Sequence, residues 1–363
     1  AAVAEVFRTR QTIEDVERRA MFLDSMQEVF DETIAFECLV RSDPEAALAY
    51  SETCRAQRLL ELLGAPGPVS APNGATVAAM RRRLPADCVV VEYAWTESHL
   101  FAWAVDRDGV VLHSLDAPED LREIVARYRD ALGRGRWDAM VEASSRQLYD
   151  VLVRPLETVL DGRDVVVVPD EDLWDVPFAT LNDGRQFLVE QAATTIAPSM
   201  EVFLRAVERS AAADGTEHAL VFGNPSVDGR RFPDLPSLPG AEREAHQIAR
   251  LYPGATLAVG DDATKQAFLA AIGRASTAHF AGHALPPGRR VPEPGLLFAG
   301  ESRSEGLEDV FLSASEISRL RLPQTRLVVL AACRTGDGAL TGREGEKSVA
   351  RALLIAGVPF VAA

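Results

Sequence analysis

Leu327-Val-Val-Leu-Ala-Ala332 is an apolar run that stops abruptly at Cys333-Arg-Thr-Gly336. A short run of this kind, β-branched at its centre, reads as a strand buried on both faces. Ser276-Thr-Ala-His-Phe-Ala-Gly282 upstream has the same character and delivers His283 into a loop rich in glycine and proline. Working outward, strands are predicted at 218–223, 255–259, 276–282 and 326–332, with a last one starting at Val358. Helices are predicted between them at about 240–251, Ala263–Ile272, 313–320 and 347–356. Such alternation predicts a parallel or mostly parallel sheet covered by helices on both faces. Function in such sheets gathers beyond the carboxyl ends of the strands, where His283 and Cys333 both fall.

The preceding half reads differently. Cys88–Trp95, His99–Val105 and Gly109–Leu115 are short, β-branched or aromatic, and separated by turns, which predicts a meander. Helical stretches follow at 118–132 and 138–160, then a buried strand at Val165–Val168 ended by Pro169. Ala65 to Asn73 is rich in proline and glycine and reads as a linker. Before it, Ile13, Val16, Ala20, Leu23, Phe30 and Ile34 line one face of a long helix. Asp43 is a candidate N-cap with Pro44 at the first helical position, and Gly64 a candidate C-cap of the second helix. The pair reads either as the last tetratricopeptide-type repeat of an array or as a two-helix packing arm. The predicted domains are therefore a helical arm at 1–66, a first α/β half at 67–212 and a second at 213–363.

Composition narrows the classes. With 363 residues, 47% hydrophobic and 25% charged, the chain is too apolar for intrinsic disorder. No apolar stretch approaches the roughly 18 residues of a membrane helix. A net charge of −16 argues against direct nucleic-acid binding and against anionic membrane surfaces. The cysteines Cys38, Cys54, Cys88 and Cys333 are far apart with no metal-ligand spacing, so a reducing, cytoplasmic setting is expected. The chain opens on Ala1 rather than methionine, which leaves a preceding targeting segment open. It has no phosphate-binding G-x-x-x-x-G-K-[ST] loop, no G-x-S-x-G elbow and no H-E-x-x-H zinc helix.

The chemistry concentrates on two residues. A thiol is nucleophilic as thiolate, and a neighbouring imidazole lowers its pKa and can protonate a leaving amine. The bland alternatives are a cysteine acting as a small buried hydrophobe and a histidine satisfied in the structure. His279 and His283 share a face of the predicted strand, but no third ligand of suitable spacing accompanies them, so neither metal nor cofactor is expected. Cys38 and Cys54 sit on predicted helices and Cys88 opens a strand, all fitting ordinary packing. Caspases place their histidine about 50 residues before a Q-A-C-[RQG]-G motif. Here His283 precedes Ala331-Ala-Cys333-Arg-Thr-Gly336 by 333 − 283 = 50 residues.

With these blocks the chain resembles the CHAT family, caspase-like peptidase domains often attached to tetratricopeptide repeats. The resemblance covers about residues 84–363. Val165-Val-Val-Val-Pro-Asp170, Val176-Pro-Phe-Ala-Thr-Leu181 and Ala197-Pro-Ser199 look like the non-catalytic half. Leu238-Pro-Gly-Ala-Glu-Arg-Glu244, Ala278-His-Phe-Ala-Gly-His-Ala284, Val328 to Gly336, Gly342-Arg-Glu-Gly345 and Ala350 to Val358 look like the catalytic half. The resemblance implies an α/β, caspase-like fold of two sheet-containing halves behind a helical hairpin, and a C-terminus that continues past residue 363. It also implies a cysteine endopeptidase for protein substrates, in a setting of signalling or bacterial defence. Cys333 would be the nucleophile, His283 the general base and acid, and the backbone N–H groups of Cys333 and Ala284 the oxyanion donors. His279 would be structural.

Arg334, Asp337 and Glu346 depart from the family pattern, and with Glu344 they form a candidate substrate pocket. The acids there predict a preference for a basic P1 residue, with solvated surface acids as the plain alternative. A regulatory protein docking on the helical repeats is the expected partner. A catalytically silent, repeat-linked interaction module is the alternative function.

Overall fold

A computed structural model describes residues 2–55, 57–64, 74–135, 137–160, 162–212, 217–300, 306–332 and 348–363. Two compact units divide between Leu204 and Arg205. Among the described residues no helix is long and apolar enough to cross a membrane.

The first unit opens with helices α1 (Ala2–Gln11), α2 (Val16–Ser25), α3 (Gln27–Leu39), α4 (Pro44–Cys54) and α5 (Gln57–Leu62). The break before α4 follows its chemistry. Asp43 accepts a hydrogen bond from the Ala46 N–H at 2.9 Å, and Pro44 occupies the first turn, where no N–H is needed. Gly64, just past α5, has φ +78°, the left-handed geometry that ends a helix cheaply in glycine. The long helix expected before Ser42 is instead three. Asp15 accepts from the Arg18 N–H at 2.8 Å and starts α2 afresh, and the chain turns again at Met26. Splitting the helix lets the pieces fold over one another. Val3, Val6, Phe7, Leu23, Phe30 and Cys54 bury together, with the Phe7 and Phe30 rings edge to face at 5.9 Å.

After α6 (Gly74–Arg81) come β1 (Cys88–Trp95), β2 (Leu100–Val105) and β3 (Val110–Leu115), the antiparallel meander read from the sequence. Helices α7 (Leu121–Gly133), α8 (Ala139–Leu152) and α9 (Glu157–Leu160) lead to β4 (Asp164–Val168). Then come α10 (Leu188–Gln191), β5 (Thr194–Ile196) and α11 (Met200–Ala212), which runs across the unit boundary. The sheet order is β3-β2-β1-β4-β5, with β1, β4 and β5 parallel. Val89, Val91, Tyr93, Val165 and Val167 point from one face into a core shared with Leu121, Ile124, Leu148 and Leu152 of α7 and α8.

A charged cluster closes the carboxyl end of this sheet. Arg55, fully buried, follows α4 in extended geometry (φ −90°, ψ 145°). Its guanidinium meets Glu92 on β1 at 3.1 Å, the Pro169 carbonyl at 2.9 Å and Asp170 at 3.5 Å, and donates to the Tyr93 carbonyl. Ser51 donates to Glu92 at 2.5 Å, and Asp170 accepts from the Trp95 N–H at 2.8 Å. Glu52 of α4 accepts the Met200 and Glu201 N–H groups at 2.6 and 3.2 Å, capping α11 from outside. Leaving such carboxylates without the guanidinium would be costly, so the cluster ties the arm to the sheet beneath it.

In the second unit β6 (Ala219–Pro225), α12 (Pro239–Leu251), β7 (Thr256–Gly260), α13 (Lys265–Ile272) and β8 (Thr277–Ala281) alternate as expected. A small antiparallel sheet follows, of β9 (Ala284–Leu285), β10 (Gly295–Leu297) and β11 (Phe311–Ser313), with α14 (Leu307–Val310) before β11. Helix α15 (Ala314–Ser318), β12 (Leu327–Ala331), α16 (Val349–Ala356) and β13 (Phe360–Ala362) complete the unit. The main sheet is wholly parallel, ordered β13-β12-β8-β6-β7. One face buries Leu220, Phe222, Phe280, Val328 and Leu330 with Phe268, Phe298, Ile317 and Leu353; the other packs Ala219 and Val221 on Ala245 of α12. Lys265 anchors the small sheet, its buried ammonium donating to the Glu308 and Phe311 carbonyls and to Glu316 at 2.6–2.8 Å.

Candidate active site

Strands β8 and β12 are neighbours, and their register runs from Leu327↔Thr277 to Ala331↔Ala281. Each pair is 50 residues apart, the separation of His283 and Cys333. Residues level in a parallel pair lie about 4.8 Å apart and share a face. The ladder is still closing at its end, where the Gly282 N–H reaches the Ala331 carbonyl at 3.3 Å.

His283 follows β8 and leads into β9, which opens at Ala284. Its Nε2 lies 2.8 Å from the Pro236 carbonyl oxygen. A carbonyl only accepts, so Nε2 carries the hydrogen and the neutral ring holds its lone pair on Nδ1. This leaves Nδ1 as the basic nitrogen, in the one tautomer the loop permits. His283, Gly282, Ala331 and Ala332 line a cleft of about 500 Å³, together with Ser237 to Ala241 at the start of α12. The cleft is bounded mostly by small and apolar side chains at the carboxyl ends of β8 and β12. Ala332 is its last wall residue before Cys333. Cys333, Arg334, Asp337, Glu344 and Glu346 lie outside the described residues.

His279, four residues earlier, is buried and meets Glu244 of α12 at 3.0 Å. Burial holds its imidazole below the usual histidine pKa, with Glu244 pulling the other way. It is thus engaged by α12 while His283 is engaged by the loop before that helix. The described cysteines Cys38, Cys54 and Cys88 are all buried. Burial, assisted by Glu37, pushes the Cys38 thiol up to about 12, and burial with Asp164 and Asp87 does the same for Cys88. At neutral pH these two thiols are almost entirely protonated and are poor nucleophiles.

Three contributors escaped the sequence reading. The Pro236 carbonyl has no signature, because any residue supplies one. Glu244 was visible as part of the Leu238–Glu244 block but not as the partner of His279. Asn224, whose Asn-Pro step is a turn signal, holds the loop before α12 by contacts with Ser237, Leu238 and Glu242.

Comparison with known proteins bears on the fold and the family. The CHAT domain matches residues 142–363, more than half of the chain. Tetratricopeptide repeat protein 28 of Mus musculus and that of Homo sapiens are each 26% identical over 275 residues, 62% of this chain. The chain spans only 11% of either relative's length. Two crystal structures of the Saccharomyces cerevisiae separase–securin complex superpose with TM-scores of 0.56 and 0.54 at 10% and 8% identity. They cover 95% of this chain and 33% of that one, a likeness of fold. The architecture is α/β and caspase-like, with parallel-rich sheets behind an N-terminal helical region, and the chain belongs to the CHAT domain family.

Proposed function

We propose that the chain is a cysteine endopeptidase acting on protein substrates through Cys333 and His283. The observation that carries the reading is the constant 50-residue offset of β12 on β8. Were that offset to continue for two residues, Cys333 would come level with His283. The Nε2 bond to Pro236 supports it by leaving Nδ1 as base.

In this mechanism Nδ1 of His283 takes the Cys333 thiol proton, and the thiolate attacks the scissile carbonyl carbon. The N–H groups of Cys333 and Ala284 receive the oxyanion. The imidazolium then protonates the leaving amine, and a water deprotonated by the same ring hydrolyses the thioester. Nε2–H keeps its carbonyl partner throughout, so the ring holds its orientation as its charge changes. The first unit, whose strand end is filled by Arg55, serves as scaffold.

The test is cleavage of a peptide library by the full chain. His283→Ala is expected to lower turnover by about 10²–10⁴, and Cys333→Ala to abolish it. Cleavage after Lys or Arg rather than Leu or Asp would support the basic P1 preference. Proteolysis that survives Cys333→Ala contradicts the proposal. A second reading, a catalytically silent interaction module, is favoured by the repeat-protein name of the curated relatives and by securin in the separase complexes. Under either reading a protein partner is expected.

A further inference from the structure

Asn224 ends the straight part of β6 with φ +47°, a left-handed backbone that asparagine tolerates better than most residues. The pairing of β6 with β7 shifts register around it, between Gly223 and Pro225. This conformation aims the side chain at the start of α12. Oδ1 accepts the Leu238 N–H at 2.6 Å, and Nδ2 donates to Glu242 Oε2 at 3.0 Å. The two contacts fix the amide orientation without ambiguity, because an N–H needs the oxygen and a carboxylate needs the NH₂ group. The Ser237 hydroxyl lies 3.3 Å from both ends of the amide.

Leu238 is the N-cap residue of α12, and its own side chain caps nothing. Pro236 and Ser237 are exposed, so packing does not fix the Pro236 carbonyl. On its upstream side the loop is closed by a turn in which the Leu235 N–H meets the Phe232 carbonyl, with Phe232 buried. Downstream, two residues past the carbonyl, the hold is Asn224. Upstream the loop is also held by the Arg290–Asp234 ion pair and by Leu235 packed on the Phe232 cluster, while downstream of the carbonyl the side-chain hold is the Asn224 amide.

We propose that Asn224 is a positioning residue for His283, acting through the 236–238 loop to keep the ring in its Nε2–H form with Nδ1 free to act as base. This rests on the peptidase reading of His283, but its test does not need activity. In full-length protein with ¹⁵N-labelled histidine, long-range ¹H–¹⁵N spectra report the tautomer directly, with His283 assigned by loss of its signals in His283→Gln. The unmodified chain is expected to show predominantly Nε2–H. Asn224→Gly keeps the left-handed backbone inexpensive and removes only the side-chain bonds, so it is expected to give a mixture of tautomers. Asn224→Asp retains the acceptor for Leu238 but faces the Glu242 carboxylate, so it is combined with Glu242→Gln, and that double variant is expected to restore the bias. If the chain is active, kcat in Asn224→Gly falls about 10- to 100-fold with KM unchanged. An unaltered His283 tautomer in folded Asn224→Gly overturns the proposal. Should that variant not fold, hydrogen exchange of the Leu238 amide in the unmodified chain decides. Slow exchange supports the bond to Asn224, and exchange at unprotected-loop rates overturns it. Cys333→Ala leaves these readouts in place, so a chain that cleaves nothing yet shows the tautomer change contradicts the peptidase reading alone.

Discussion

Glu52 carries a strongly perturbed side chain in the first unit. Burial and the neighbouring Glu92 carboxylate raise its pKa well above the ordinary glutamate value, against the lowering effect of the Met200 and Glu201 N–H groups. One proton is therefore held by the folded chain that an unfolded chain releases near pH 4.3, the usual glutamate value. The folded state binds more protons from there up to the raised pKa, so this group's contribution to stability falls as pH rises across that window. Glu52→Gln has no proton to lose and still offers an oxygen to the Met200 N–H. Urea unfolding at a series of pH values is expected to show a flatter slope for Glu52→Gln, the difference reaching up to about 1.4 kcal/mol per pH unit. Parallel slopes for the two proteins would contradict a raised pKa for Glu52. None of this was legible in the sequence, where Glu52 and Arg55 fall within the predicted second helix and no local pattern marks them for burial. Their burial depends on Glu92 and Asp170 arriving from strands far along the chain.

At the scale of elements, the contact of α12 with β6 sets the site, and Gly223 makes it close. A Cβ there would lie 2.4 Å from the Ala245 Cβ and 2.9 Å from the Ala241 carbonyl oxygen. Gly223→Ala must push α12 off the sheet, at a cost of about 1–3 kcal/mol. Ala245→Gly in the same chain is expected to recover only part of that loss, since the backbone oxygen remains. Thermal unfolding of the single and double variants measures both. Full recovery would show that the helix backbone does not press on the strand. Strands β6, β8 and β12 were readable because burial on both faces leaves unbroken apolar runs. Strands β9, β10 and β11 were not, being two or three residues each, with β9 and β10 set among glycines and prolines that read as loop. The three-way division of the first helix also escaped, since periodicity marks a face and says little about where a helix bends.

Across the whole chain, two units repeat one rule, that polar chemistry collects where parallel strands end, with opposite outcomes. In the first, the end of β4 is occupied by Arg55 and its carboxylates. In the second, the ends of β8 and β12 open into the cleft beside His283. The sequence marked the second through the 50-residue spacing of two motifs, the same offset at which β12 pairs with β8. The loop that orients His283 was hidden because backbone carbonyls and left-handed turns leave little trace in residue types. The central claim is that His283 activates Cys333, and iodoacetamide alkylation followed by peptide mass spectrometry tests it most directly. Cys333 in the native chain is expected to label fastest of the four cysteines at neutral pH, and about 10-fold more slowly in His283→Ala as its thiolate fraction falls. Labelling of Cys333 at the same rate in both proteins would contradict the account.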